Sequence, residues 1–270
     1  MFSIFIDCPQ DRTDLLIADL WEAGVAGIVE SPTGLRAFFE DDADRAYLVA
    51  TFGGEIEPAV ERDWVTESRQ ALQPMLVGCR FFLVPEWRDD AAPEGRIRIT
   101  VNSGLAFGTG LHESTRLCLE SLEHLVQPGM TVVDVGTGSG ILAEAASKLG
   151  AGRVIACDID PLSVEVAGTN FKNAQLAIEL FEGSIQQVES HVADLAIGNL
   201  SPEWLALLAP EWPRITKPGG TVLLSGLEAH DVDRVRDRLQ AAGLTVSTIR
   251  EENQWRAIIA LKMRSRGELK

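Results

Sequence analysis

Phe2, Ile4 and Ile6 alternate with more polar neighbours, the period-two pattern of a half-buried strand. Leu16, Ile17, Leu20 and Trp21 then recur on one helical face behind two potential caps, Asp11 and Thr13, and Gly24 stops the helix. AGIVE and LRAFFE read as two strands around the turn SPTG, DDADRAYLVATFGGE contains a short second helix, and Ile56 to Val60 supplies a last strand. The order strand, helix, strand, strand, helix, strand predicts a small ferredoxin-like α+β domain over residues 1–60. Residues 61–95 are mixed. RDWVTESRQALQPM has helical character ended by Pro74, CRFFLVPEW reads as a strand and RDDAAPEG as a loop, so this stretch is expected to be a connector.

Over residues 96–265 the rhythm becomes regular. RIRITV is a strand, and Cys118, Leu122 and Leu125 line a helix. MTVVDV, RVIACDI, IELFEG, ADLAIGN and GTVLLSG are strands, separated by helices that carry Leu142 to Leu149, run from Pro161 to Lys172, and begin near Pro202. A helix from Asp231 to Ala242 precedes LTVSTIRE and WRAIIALK, which only ENQ separates and which should form an antiparallel hairpin. Strands alternating with helices at this spacing predict an α/β fold: a Rossmann-like, doubly wound sheet covered on both faces and ending in a reversed strand.

Composition narrows the function. Of the net charge of −16, residues 1–60 carry −9, from twelve acids against three arginines. That surface repels a phosphate backbone and attracts a basic protein or an amine, so no direct nucleic-acid contact is expected. The opening MFSIFIDCPQD has no basic leader, and no apolar run approaches the length of about 18 residues that a membrane helix needs. Cys8, Cys79, Cys118 and Cys157 are scattered in apolar stretches with no C-x-x-C pair, so a reduced cytoplasm and no structural disulfide are expected. His112, His124, His191 and His230 have no metal-binding spacing, so no metal is expected.

Candidate chemistry lies in two glycine-rich loops. In VVDVGTGSG a strand ends at Val135, and Gly136, Gly138 and Gly140 lead into a helix, where a ligand approaches the backbone closely and meets free N–H groups. The spacing G-x-G-x-G is neither the G-x-G-x-x-G of a dinucleotide site nor a Walker loop. Asp134, two residues before the first glycine, suits a ligand bearing an ammonium group better than a pyrophosphate. Asp158, at the end of the next strand, is placed to bridge two ribose hydroxyls. A ribose without pyrophosphate, joined to an amino acid, describes S-adenosyl-L-methionine. The earlier loop, GLAFGTGLHEST, is expected to fold over that cofactor as a lid, with Phe107 covering an apolar edge and the Thr115 hydroxyl reaching the ligand's carboxylate. His112 suits capping or lid packing as well as chemistry and is not assigned as a base. Asn199, ending the strand ADLAIGN, is expected to accept a hydrogen bond from an amine and aim its lone pair at the sulfonium methyl, making it the catalytic candidate. A nicotinamide oxidoreductase is disfavoured by the glycine spacing, and a serine hydrolase by the lack of G-x-S-x-G. A non-catalytic module keeping the fold as a scaffold is disfavoured by Asp134, Asp158 and Asn199 together.

At GLAFGTGLHESTRLCLESLE, VVDVGTGSGILAEAASKLGA and ACDIDPLSVEVAGTN, the chain closely resembles ribosomal protein L11 methyltransferases, a likeness running from about Asp63 to the C-terminus. The resemblance implies a seven-stranded class I methyltransferase domain and cofactor contacts at Thr115, Gly136, Asp158 and Asn199. It also implies that the acidic N-terminal domain recognises the substrate, a basic ribosomal protein like L11, methylated on lysine or N-terminal amines by an enzyme expected to be monomeric. The sequence departs from the family at Thr137, where cysteine is usual, at Leu200–Ser201–Pro202, where Ile–Leu–Ala is usual, and at Ser68 and Leu72, where aromatic residues are expected. Those departures leave as the alternative a paralogue acting on another protein or a small-molecule amine.

Overall fold

The computed structural model describes residues 2–8, 16–17, 20, 23–31, 33–40, 43–58, 73–101 and 112–264. The chain divides into two compact units, Met1–Leu72 and Gln73–Lys270.

In the first unit, β1 (Phe2–Asp7), β2 (Gly27–Ser31), β3 (Gly34–Phe39) and β4 (Glu55–Pro58) form an antiparallel sheet in the order β2-β3-β1-β4. The alternation seen in the sequence holds: Phe2, Ile4 and Ile6 are buried against Leu20, Leu35, Phe39 and Leu48. The helix α1 (Arg45–Phe52) starts where the Asp44 carboxylate accepts the Tyr47 N–H at 3.1 Å and ends at Gly53. Gly54 is required next, because any Cβ there would overlap the Phe5 carbonyl. Ala59 and Val60, expected in the last strand, lie outside the described residues, as do Trp21, Ser68 and Leu72.

The second unit begins earlier than expected. Residues 73–95 have structure of their own and fold with this unit: β5 (Met75–Val77) and β6 (Phe81–Pro85) form a hairpin, and β6 pairs in parallel with β7 (Ile97–Val101). Hence RIRITV does not join the main sheet but completes a separate three-stranded one. This small sheet is anchored in two ways. Val77, Phe81, Leu83, Ile99 and Val101 are buried in the same core as Leu117, Leu119 and Leu122 of α2 (Glu113–Leu125). The Glu123 carboxylate of that helix accepts the N–H groups of Cys79 (2.9 Å) and Arg80 (2.7 Å) at the hairpin turn.

The main sheet has seven strands: β8 (Thr131–Val135), β9 (Arg153–Asp158), β10 (Glu179–Glu182), β11 (Ala193–Asn199), β12 (Thr216–Glu228), β13 (Leu244–Glu252) and β14 (Trp255–Lys262). Their order is β10-β9-β8-β11-β12-β14-β13. The last two strands form the expected hairpin, but the reversed strand β14 is inserted between β12 and β13 rather than placed at the edge. Alternate residues feed two cores. Val132, Val154, Leu195 and Ile197 face α2, α3 (Ile141–Lys148) and α4 (Pro161–Asn173). Val133, Ile155, Ala196 and Leu224 face α5 (Pro202–Leu207), α6 (Glu211–Ile215) and α7 (Val232–Ala241). Two-sided burial explains why these strands are almost wholly apolar.

Helix α6 was not legible in the sequence, yet it delivers Trp212, fully buried, beneath β11. A Cβ on Gly198 would come within 2.6 Å of the Trp212 ring. Gly198→Ala should therefore overpack the core and cost roughly 1–3 kcal/mol, measured by urea unfolding. In a Trp212→Phe background the added methyl should cost measurably less; an equal penalty in both backgrounds would mean that the ring is not what the methyl meets.

Candidate active site

Strand order reverses between β8 and β11, so their carboxyl ends diverge into a crevice, the usual ligand position in such a sheet. The glycine turn fills its floor. Gly136 (φ 69°), Gly138 (φ 54°) and Gly140 (φ 85°) all occupy left-handed backbone. Gly136 and Thr137 donate their N–H groups to the Cys157 carbonyl at 2.9 and 3.0 Å, which binds the turn to the end of β9. Helix α4 packs directly on the turn: a Cβ on Gly140 would lie 2.5 Å from the Phe171 ring, and Asn170 Nδ2 donates to the Ser139 carbonyl at 2.8 Å.

Asp158 closes the turn from the neighbouring strand. Its Oδ2 accepts the Gly138 N–H at 2.9 Å and its Oδ1 the Asp160 N–H at 3.0 Å. Each oxygen keeps a further acceptor position, and Asp158 faces a cavity of about 520 Å³ that Gly136, Gly138 and Asn199 also line. Four of the sequence candidates, Gly136, Gly138, Asp158 and Asn199, are thus brought to one cavity.

Thr115 and Asp134 are placed differently. Each is 1% exposed, and neither lines the cavity. Thr115 Oγ1 accepts a hydrogen bond from Asn199 Nδ2 at 3.2 Å, so it supports the asparagine from behind. Asp134 lies beneath the turn, where Oδ2 accepts the Thr137 hydroxyl at 2.7 Å and Oδ1 meets no donor at hydrogen-bond geometry among the described residues. Burial pushes its carboxyl up to about 6; the Thr137 hydroxyl and the Ala143 N–H pull the other way, and the Asp158 charge adds to the rise. Phe107 and the loop around it lie outside the described residues. His112 caps α2, its Nδ1 accepting the Ser114 N–H at 3.3 Å, and its ring packs edge-on against Trp255 at 4.3 Å. Burial pushes the thiols of Cys118 and Cys157 up to about 12, so both are neutral packing groups at physiological pH.

The match to the model of the ribosomal protein L11 methyltransferase (PrmA) family covers residues 13–263. The chain belongs to that family. It is 41% identical over 202 residues to the ribosomal protein L11 methyltransferase of Pelotomaculum thermopropionicum, covering 74% of this chain and 66% of that one. It is 34% identical over 242 residues to the Deinococcus radiodurans protein of the same name, covering 87% and 88%. The solved ribosomal protein L11 methylase from Lactobacillus delbrueckii subsp. bulgaricus superposes with a TM-score of 0.66 at 29% identity, over 72% of this chain and all of that chain. The [4+2]-cyclase SpnF, at 13% identity and a TM-score of 0.50, shares the fold alone.

Within this L11 methyltransferase scaffold, several cavity residues escaped the sequence reading. Ile159 (61% exposed) and Trp204 (47%) are large apolar side chains left at the cavity wall, and Trp255 joins them from β14. Ile159 had a signal, since it directly follows Asp158. Trp255 had none, because only the insertion of β14 beside β12 brings it to the site. Ser184, after β10, reaches the cavity in the same non-local way.

Asp134 makes the site's charge measurable in the cofactor-free protein. A carboxyl raised above its unfolded value, about 3.9, favours the native state while protonated, and that contribution is lost as pH rises through about 6. Asp134→Asn is neutral throughout. Its stability relative to the parent should rise by up to roughly 3 kcal/mol between about pH 4 and about pH 8, read from urea unfolding at each pH. A difference that stays flat would mean that the carboxyl is not held out of water.

Proposed function

We propose that this chain transfers a methyl group from S-adenosyl-L-methionine to amine nitrogens, lysine side chains or the N-terminus, of ribosomal protein L11. The observation that carries this reading is the charge of the cavity. Among the described residues lining it there is no lysine or arginine, while Asp158 faces it and Asp134, with one oxygen unpartnered, lies below the turn. Such a lining offers a pyrophosphate no cationic side chain and suits a cationic ligand. The residues present therefore fit the cofactor: Asp158 would hold the ribose hydroxyls, Gly136 and Gly138 would admit the ligand close to the backbone, and Ile159 and Trp204 offer apolar wall. When bound, S-adenosyl-L-methionine supplies an electrophilic methyl on a sulfonium sulfur.

The rest of the chemistry belongs to the chain. Only a neutral amine is nucleophilic, and neutralising a lysine at pH 7 costs roughly 4.6 kcal/mol, against about 1.4 kcal/mol for an α-amine. An apolar wall and a cationic neighbour both lower the amine's pKa, so no dedicated base is required. With its Nδ2 donating to Thr115, Asn199 has Oδ1 left to accept a hydrogen bond from the amine and orient its lone pair. Positioning then supplies most of the acceleration. In this reading the first unit, built on the sheet β2-β3-β1-β4, recognises the substrate; its acidic composition attracts a basic protein and disfavours direct contact with nucleic acid. We infer a monomeric, cytoplasmic enzyme, which the unoxidised Cys79, Cys118 and Cys157 support; among the described residues no helix is long and apolar enough to cross a membrane.

Incubation with radiolabelled cofactor and a ribosomal protein mixture should label L11, on amines located by mass mapping; label on a different protein would redirect the assignment. Asn199→Ala should lower kcat on the order of 10²-fold while changing cofactor affinity only a few-fold. Equal losses in both would remove the orienting role.

A further inference from the structure

We propose that Leu200 is the positioning residue of this site: wedged between two glycines on neighbouring strands, it fixes the end of β11 and with it the Asn199 amide. The inference rests on the functional reading above, in which Asn199 orients the amine.

The register of the sheet creates the wedge. Gly198 of β11 stands opposite Val135 of β8, and Asn199 opposite Ser225 of β12. One step further on, the chain passes between Gly136, which follows Val135, and Gly226, which follows Ser225. Both glycines have positive φ, 69° and 89°. The space each leaves is taken by the same residue. A Cβ on Gly136 would overlap Leu200 Cδ2 and lie 3.3 Å from Cγ. A Cβ on Gly226 would overlap the Leu200 carbonyl oxygen and lie 2.9 Å from its carbon. The Leu200 N–H also donates to the Ser225 carbonyl at 3.1 Å, which ties its backbone to β12 just before the irregularity between Ser225 and Leu227. Leu200 is therefore held by its side chain on one side and by its main chain on the other, and Leu200, Gly136 and Gly226 all line the cavity.

Strand alternation then gives Leu200 its effect on Asn199. Leu195 and Ile197 belong to the core beneath α2, and Asn199 continues that face by donating to Thr115 of α2. Leu200 packs against the opposite core. The strand end is thus gripped from both faces, by a hydrogen bond through Asn199 and by the wedge through Leu200. Loss of the Leu200 side chain would leave a void over Gly136 and let the strand end shift. A shift of about 1 Å is enough to cost on the order of 10²-fold in rate, whereas the turn and Asp158, which would hold the cofactor, are hydrogen-bonded to each other and to β9 and keep those bonds without the Leu200 side chain.

The test compares Leu200→Ala and Leu200→Met, with the Gly136→Ala variant of each. Leu200→Ala should lower kcat about 10- to 100-fold and leave the cofactor dissociation constant within about threefold, and Leu200→Met, which keeps the volume, should recover most of the rate. Gly136→Ala/Leu200→Ala should lose less than the product of the two single losses, because removing the leucine relieves the overlap, while the strain of a left-handed alanine is common to both backgrounds and cancels. In parallel, the Asn199 side-chain amide resonance, assigned by its loss in Asn199→Ala, should move toward its unfolded position in Leu200→Ala and stay in Leu200→Met. An unchanged kcat, equal losses of rate and cofactor affinity, strictly multiplicative losses in the double variant, or an unmoved amide resonance would each overturn the proposal. If the parent enzyme methylates no amine, the functional reading fails instead, and the amide resonance still decides the role of Leu200.

Discussion

The register that sets β8 between β9 and β11 is the constraint from which the rest of this site follows. Parallel neighbours must end level with one another, since Val135 stands beside both Cys157 and Gly198. The residues that follow therefore emerge at one height: Gly136 from β8, Asp158 at the end of β9, Asn199 at the end of β11. Three chain ends crowded into so small a space cannot all carry side chains pointing inward. Gly136, Gly198 and Gly226 remove them where β8, β11, β12 and α6 approach most closely. The glycines are thus a consequence of packing as much as of ligand access.

Electrostatics follow from the same geometry. A carboxylate placed just before the turn is forced under it, away from water, and Asp134 has one oxygen with no partner among the described residues. Leaving it so is costly. Thr137 offsets part of that cost, since its hydroxyl donates to the buried carboxylate at 2.7 Å. A thiol at this position would be a weaker donor. The remaining oxygen leaves a negative field at the turn that a cationic ligand would relieve.

Much of this was legible in the sequence because the informative patterns are local. Glycine spacing, an acid before the turn, another at the next strand's end and an asparagine after a buried strand are all read within a few residues, and the resemblance to the family rests on the same stretches. What was not legible depends on pairing between distant segments. Phe81 pairs with Ile97 and Glu123 caps Cys79, so a stretch that reads as a connector becomes part of a core. Helix α6 has only five residues, one of them Pro213, and carries no periodic signal, yet it buries Trp212. Thr115 was assigned a contact by its place in a helix's first turn. The structure gives it Asn199 as a partner, a relation between residues 84 positions apart that no local pattern encodes.

On the proposed function, one cavity must take two cations. An amine substrate would arrive as ammonium beside the cofactor's sulfonium, and their mutual repulsion in an apolar pocket would oppose binding. The same repulsion lowers the amine's pKa, which helps the reaction. A site with too little negative charge would refuse the substrate, and one with too much would hold the amine protonated. Asp134, pushed up to about 6 and still ionised at neutral pH, supplies its charge from beneath the turn without lining the cavity or offering the amine a direct ion pair. Asn199, neutral and bonded to Thr115, is the group proposed to meet the amine. Its amide would orient the nitrogen without stabilising the charged form as a carboxylate would, the property that methyl transfer to nitrogen would require.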